Sequence, residues 1–368
     1  MRVALVHDYL NQEGGAERVA AALCAAFPGA PMYTSVYDAR VMTECWKSVE
    51  IRTSFMQKLS PRLNIARGLL PLYPAAFESF DLRQFDLVLS SCSTFSKGVL
   101  TAPGCAHVCY CHNTTRPLWM YHEYVERENL GPAQRALLPP LVSALRLWDF
   151  AAAQRVDHFI ANSKTTAARI HKFYRREAVV IEPPIRVAEF DGEPAEVQPY
   201  LLVMARLQSY KRLDLAIEAA NRLRVPLRIA GVGPDERRLR KLAGPTVEFL
   251  GRVSNPDQIK LYRHCRALII PGIEDFGLNA LEAQAAGRPV IAYGAGGSLE
   301  TVVPGVTGVL YADQSADALA EVLRVFDHTS FDPDACRTQA RRFDESVFKE
   351  RLLAFLRFVG VPVDSDRG

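Results

Sequence analysis

Short apolar runs alternate with amphipathic stretches along most of the chain. In the first half, strand-like runs stand at "RVALVHD" (2–8), "APMYTSV" (30–36), "DLVLSSC" (86–92), "AHVCYCH" (106–112) and "DHFIANS" (157–163). Helical patterns stand at "GAERVAAALCAAF" and "SKTTAARIHKFY". Such an alternation predicts βαβ units and parallel sheets. Between residues 179 and 200, prolines, glycine and acids break the periodicity and mark a linker. The pattern then restarts with "YLLVMARL", "RLDLAIEAANRL", "PLRIAGVG", "DERRLRKLAG", "VEFLGRV", "PDQIKLYRHC", "ALIIPG", "RPVIAYG" and "GVLYA". The expectation is an α/β protein of two doubly wound, Rossmann-like domains, 1–187 and 188–345. The amphipathic segment 346–368 is expected to cross back and brace the first domain. Ligands of such sheets bind beyond the carboxyl ends of the strands, so an interdomain cleft lined by strand-end loops is expected.

Composition narrows the class. A chain of 368 residues exceeds one typical core. Hydrophobic content of 49% with 23% charged residues is ordinary for a soluble globular protein. A net charge of +3 is too small to argue for nucleic acid as a partner. No run approaches the ~18 apolar residues of a membrane span. His7 and Asp8 interrupt the first apolar run too early for a signal peptide, so a cytoplasmic protein with reduced thiols is expected. The stretch "CAHVCYCHN" gathers Cys105, Cys109, Cys111 and His112, but its spacing fits no zinc knuckle, and no metal site is expected.

The chemistry gathers at predicted strand ends. In "IIPGIEDFGLNALEAQAAGRPVIAYGAGG" (269–297), Glu274 and Glu282 lie eight positions apart with Gly277 between them. A strand, a loop carrying Glu274 and a helix from about Leu278 carrying Glu282 would aim both acids at one ligand over the helix N-terminus. The alternative is an acid answering the helix dipole and a solvated helix acid. Gly14 and Gly15 follow the first strand and precede a helix, a loop suited to a phosphate or simply a tight turn. "GVGPDE" and Gly294, Gly296 and Gly297 lack the third-glycine register of a dinucleotide fingerprint. Arg206 and Lys211 follow the first strand of the second domain and suit a diphosphate, or else form a solvated basic turn. His112 stands at another strand end, either as a substrate contact or as a structural histidine.

This set resembles the family 4 retaining glycosyltransferases of GT-B architecture. The E-x7-E element at Glu274 and Glu282, the Arg206/Lys211 pair, the Gly14-Gly15 loop, "ANS" at 161–163 and Pro183-Pro184 occur in the family's order and cover almost the whole chain. "VHDYL", "GGAE", "YCHNTTRPLW" and "RLQSYKRLDLAIEA" are similar to bacterial polysaccharide and O-antigen mannosyltransferases that use GDP-mannose. The resemblance implies two facing domains, with Arg206 and Lys211 holding the donor diphosphate. It implies Glu274 on hydroxyls of the transferred sugar, Glu282 on the ribose and His112 at the sugar or reacting region. Gly15 would approach the diphosphate, and the amides of Phe276, Gly277 and Leu278 would complete the anion site. It further implies retention by front-face attack, with the nucleotide sugar as substrate and no cofactor or metal. Asn279-Ala280 stand where the family often has Thr-Pro, which leaves the donor sugar open.

The acceptor is a saccharide or lipid-linked saccharide by the same resemblance. Residues 52–77 carry Arg52, Lys58, Arg62 and Arg67, no acid before Glu78, and interleaved Phe55, Met56, Leu59, Leu63, Leu69 and Leu70. That face suits the anionic inner surface of a plasma membrane, or else core packing with a basic solvated side. Three other readings stand beside mannosyl transfer: a UDP-sugar donor, a nucleotide-sugar epimerase, and a non-catalytic nucleotide-sugar-binding subunit.

Overall fold

A computed structural model describes residues 1–59, 67–121, 132–192 and 195–363. The chain forms two units, Met1–Pro184 with Phe348–Gly368, and Ile185–Val347.

The first unit is built on a seven-stranded sheet: β1 (Val3–His7), β2 (Met32–Thr34), β3 (Ile51–Thr53), β4 (Leu87–Cys92), β5 (Ala106–Cys111), β6 (His158–Ala161) and β7 (Ala178–Val180). All pairings are parallel, in the order β3-β2-β1-β4-β5-β6-β7. The central strands are buried on both faces, which is why they read as continuous apolar runs rather than as alternation. The two edge strands escape the apolar pattern: β3 and β7 have three residues each and are only half-buried. β7 begins just before the stretch where prolines suggest a linker. In the closing helix Glu345–Phe358, Phe348, Leu352, Phe355 and Leu356 share one buried cluster with Leu5, Val108 and Tyr110. Their spacing by three and four places them on one helix face.

The second unit carries a six-stranded parallel sheet: β8 (Leu201–Met204), β9 (Leu227–Ala230), β10 (Val247–Gly251), β11 (Ala267–Ile270), β12 (Val290–Tyr293) and β13 (Gly308–Tyr311). Its order is β10-β9-β8-β11-β12-β13. Strand alternation separates its two cores. Leu202, Met204, Leu268 and Ile270 enter one cluster, while Leu201, Val203, Ala267 and Ile269 enter the other. Both sheets reverse their winding once, between β1 and β4 in the first unit and between β8 and β11 in the second. Ligands of open α/β sheets bind beyond the carboxyl ends of the strands at such a switch point.

The basic segment 52–77 divides. Residues 60–66, with Arg62 and Leu63, lie outside the described residues. Around them, Met56, Tyr73 and Phe77 are buried, and Leu69 and Leu70 pack against the same core. Arg52 pairs with Glu50 and donates to Tyr33 Oη. Of the six apolar residues of that face, Met56, Leu69 and Leu70 are taken up by packing, and Phe55 and Leu59 remain exposed. Among the described residues, no helix is long and apolar enough to cross a membrane.

Candidate active site

In the second unit, the switch point brings together two residues that are 63 positions apart in sequence. Lys211 lies in the turn after β8, and Glu274 in the loop after β11. Their side chains form an ion pair and are 15% and 18% exposed. Burial works against charge on Lys211, but the Glu274 carboxylate outweighs it, with help from Tyr210 and Asp275, and holds the ammonium's pKa above its usual value. The ammonium also lies 5.1 Å from the centre of the Tyr210 ring. Arg206 stands in the same loop, exposed, and makes no ion pair among the described residues.

The Glu274 loop leads through Gly277 into the helix Leu278–Ala285. This is the strand, loop and helix order that the apolar pattern predicts. Gly277 sits at φ 95° and precedes the first turn. The loop is clamped from its other side by Gly296, at φ 62°, where an added Cβ would fall 2.4 Å from the Glu274 carbonyl oxygen. Gly297 N–H donates to that same oxygen at 2.8 Å. Gly294, Gly296 and Gly297, which fit no dinucleotide fingerprint, thus include the residues that hold Glu274 in place. Asn279 also gains a role, since its side-chain amide donates to the Met204 carbonyl at the end of β8. That bond ties the helix N-terminus to the neighbouring strand. Phe276 places its side chain in the core, edge-on to Phe343, and Leu278 packs against the same cluster. Only their backbone groups are suited to a ligand.

Glu282 is 3% exposed on the inner side of this helix. It accepts a hydrogen bond from Tyr262 Oη at 2.8 Å and one from Gln258 Nε2 at 3.4 Å. A buried carboxylate held this way has a fixed orientation. Nothing in the sequence points to Tyr262, which reaches Glu282 from the helix Asn255–His264.

At the first unit's switch point the chemistry is different. His112 follows β5 and is 8% exposed, and its Nε2 lies 2.8 Å from Ser91 Oγ on β4. His7, the last residue of β1, places Nδ1 3.1 Å from both Ser91 O and Ser91 Oγ. Its Nε2 lies 3.8 Å from Glu17 Oε1, on the helix Gly15–Ala26 that the Gly14-Gly15 loop opens. Gln12 Nε2 donates to the same carboxylate oxygen at 3.2 Å. Asp8, next to His7, accepts the backbone N–H groups of Ser93, Thr94, Phe95 and Ser96 at 2.5–2.9 Å. It thereby fixes the loop that follows β4. Sequence spacing singles out His112, Gly14 and Gly15 but not His7, Glu17 or Ser91. For His7, its place at the end of a buried strand was the available signal; a serine inside an apolar run carries none.

Cys111 Sγ donates to Asn113 O at 3.2 Å, and among the described residues no three potential ligands gather. All eight thiols are free.

Comparison with known proteins agrees with this architecture. Residues 13–189 match the Glycosyltransferase Family 4 model and residues 186–343 match that of Glycosyl transferases group 1. A glycogen synthase of Mycobacterium tuberculosis is 36% identical over 161 residues, which cover 40% of this chain and 37% of the relative. The chain thus matches well under half of that relative's length. A GDP-mannose-dependent monoacylated alpha-(1-6)-phosphatidylinositol monomannoside mannosyltransferase of Corynebacterium glutamicum is 35% identical over 144 residues, 35% of this chain and 38% of the relative. The crystal structure of Anabaena HepE in complex with UDP and glucose superposes with a TM-score of 0.74 at 18% identity, covering 97% of this chain and 99% of that one. The two parallel-sheet units and the two family matches, which together run through both, show that the chain belongs to the family 4 glycosyltransferases of GT-B fold.

Proposed function

We propose that the protein is a retaining, metal-independent hexosyltransferase that takes mannose from GDP-mannose and delivers it to a saccharide or lipid-linked saccharide. The observation that carries this reading is the Lys211–Glu274 pair beside the N-terminus of the helix that bears Glu282. Breaking a sugar–phosphate bond leaves negative charge on the diphosphate and positive charge on the anomeric carbon. Lys211, Arg206 and the first N–H groups of the helix suit the former, and fixed charges and dipoles act there without reorganising. Glu274, next to the ammonium, suits hydroxyls of the sugar. Glu282, oriented by Tyr262, suits the paired hydroxyls of a ribose. In the first unit, His112 suits a sugar hydroxyl. The leaving phosphate takes the acceptor's proton as the new bond forms on the same face, which retains the anomeric configuration.

The Corynebacterium relative, a GDP-mannose-dependent mannosyltransferase, supports mannose and GDP; the UDP in the Anabaena structure favours the rival, a UDP-sugar donor. Thermal denaturation separates them. At ligand near 100 times its dissociation constant, GDP-mannose is expected to stabilise the protein by about 2.7 kcal/mol. A larger shift with UDP-glucose than with GDP-mannose rejects the donor. Turnover unchanged by a chelator and a product of the donor's own anomeric configuration are expected; an inverted product rejects retention.

A further inference from the structure

Four side chains at the first unit's switch point form a chain whose proton positions can be worked out. Ser91 O is a carbonyl oxygen and can only accept, so the His7 nitrogen 3.1 Å from it, Nδ1, carries the hydrogen. The same Nδ1 lies 3.1 Å from Ser91 Oγ. Ser91 Oγ therefore cannot donate to His7. Ser91 is fully buried, so its hydroxyl hydrogen cannot turn to water. His112 Nε2, at 2.8 Å, is the remaining acceptor for it among the described contacts. A nitrogen that accepts carries no hydrogen. His112 is thereby held with Nε2 bare and its ring proton on Nδ1.

The frame around this chain is rigid. His7 and Ser91 are register partners on β1 and β4, and Ser96 Oγ donates to Ser91 O at 3.0 Å. Glu17 closes the far side, 3.8 Å from His7 Nε2. An added Cβ on Gly14 would sit 2.9 Å from Glu17 Oε2, so the glycine loop leaves room for the carboxylate that backs the chain.

We infer that Ser91, oriented by His7, sets the tautomer of His112, so that the ring meets a sugar as a hydrogen-bond donor at Nδ1 and never as an acceptor there. Ser91 and His7 are positioning residues acting through His112, and the inference rests on the reading of His112 given above. In water the Nε2–H tautomer is the commoner form of a neutral imidazole, and the hydrogen bond made by one ring nitrogen decides where the proton sits on the other. A buried hydroxyl whose hydrogen has Nε2 as its one available acceptor among the described contacts reverses the preference.

The test is NMR of the full-length protein labelled with ¹⁵N-histidine, with His112 signals identified by their loss in His112→Asn. The expected wild-type result is an unprotonated Nε2 and a protonated Nδ1. In Ser91→Ala the proton should move to Nε2, and kcat should fall up to roughly 100-fold with the donor KM nearly unchanged. His7→Leu offers Ser91 no new acceptor and should keep the wild-type tautomer, whereas His7→Asn, whose amide oxygen can accept from Ser91, should let the proton shift toward Nε2. A protonated Nε2 in the wild type, which needs no variant to observe, overturns the inference, as does an unchanged tautomer in Ser91→Ala. Full turnover in His112→Asn instead overturns the reading of His112 beneath it, whatever the tautomer.

Discussion

Among the described residues, each unit has a lysine–carboxylate pair within hydrogen-bonding distance, and the two differ in burial and in partners. In the first unit, Lys97 Nζ and Asp149 Oδ1 are 2.5 Å apart with both side chains 1% exposed or less. Asp149 is saturated: Thr115 Oγ1, Trp119 Nε1 and Tyr174 Oη donate to it at 2.7–2.8 Å. Burial opposes charge on Lys97, but the carboxylate prevails and lifts the ammonium's pKa well above its usual value. In the second unit, Lys211 and Glu274 sit at strand ends, partly open, on a loop held by its backbone. The sealed pair joins β4's following loop to the helix Pro132–Gln154 and has no room for a ligand. The open pair is 15% and 18% exposed rather than sealed, and under the proposed function it exchanges one partner for a diphosphate. Saturation and burial distinguish a structural ion pair from one poised for chemistry, where distance alone does not.

That contrast predicts opposite phenotypes. Asp149→Asn strips the counter-charge from a fully buried ammonium and is expected to cost about 3–5 kcal/mol of stability. Chemical denaturation checks this, and a loss under about 1 kcal/mol would remove the first half of the comparison. Lys211→Ala should change stability by only about 1 kcal/mol. Its turnover should fall by about 2.7–4 kcal/mol of transition-state stabilisation, the range for one preorganised charge stabiliser. Steady-state kinetics with normal turnover would break the second half.

His107 sharpens the point, being a buried group in the first unit without a sufficient counter-charge. Burial pushes its pKa from 6.5 down to about 4, with Asp157 opposing and Arg155 adding to the shift. The folded state keeps the ring neutral where the unfolded chain protonates it. Stability from this site is therefore full above pH 6.5, lost as pH falls to about 4, and level below that. The loss should be about 3 kcal/mol. It is read as the difference between wild-type and His107→Gln denaturation curves across that window; parallel curves would contradict it. Last, Gly296→Ala combines a left-handed backbone with a clash against the Glu274 carbonyl, and should cost about 1–3 kcal/mol. A matched melting temperature would show that the loop yields.

The apolar runs made both sheets legible because central parallel strands bury both faces. Edge strands Ile51–Thr53 and Ala178–Val180 were not, since three half-buried residues carry no period. Glu274, Glu282 and Lys211 stood out as charges among Gly, Ala and Leu. Their pairing did not, because adjacency of β8 and β11 is a property of strand order and not of any local stretch. The same holds for His7 and Ser91, which lie 84 positions apart and meet only because β1 and β4 are neighbours. Glu282 was visible as an acid, but Tyr262, which orients it, was one tyrosine among 13.

In the proposed function the second unit divides its labour, with Glu282 reading the ribose and Glu274 the transferred sugar while Lys211 meets the diphosphate. Free GDP contains ribose and diphosphate but no sugar. Calorimetric titration of GDP into Glu282→Gln, which can still accept from Tyr262, should show affinity lowered roughly tenfold or more, about 1.4 kcal/mol. Glu274→Gln should bind GDP as tightly as the wild type, because Lys211 remains for the phosphates. Lost GDP affinity in Glu274→Gln with intact affinity in Glu282→Gln would contradict the assignment of the two acids.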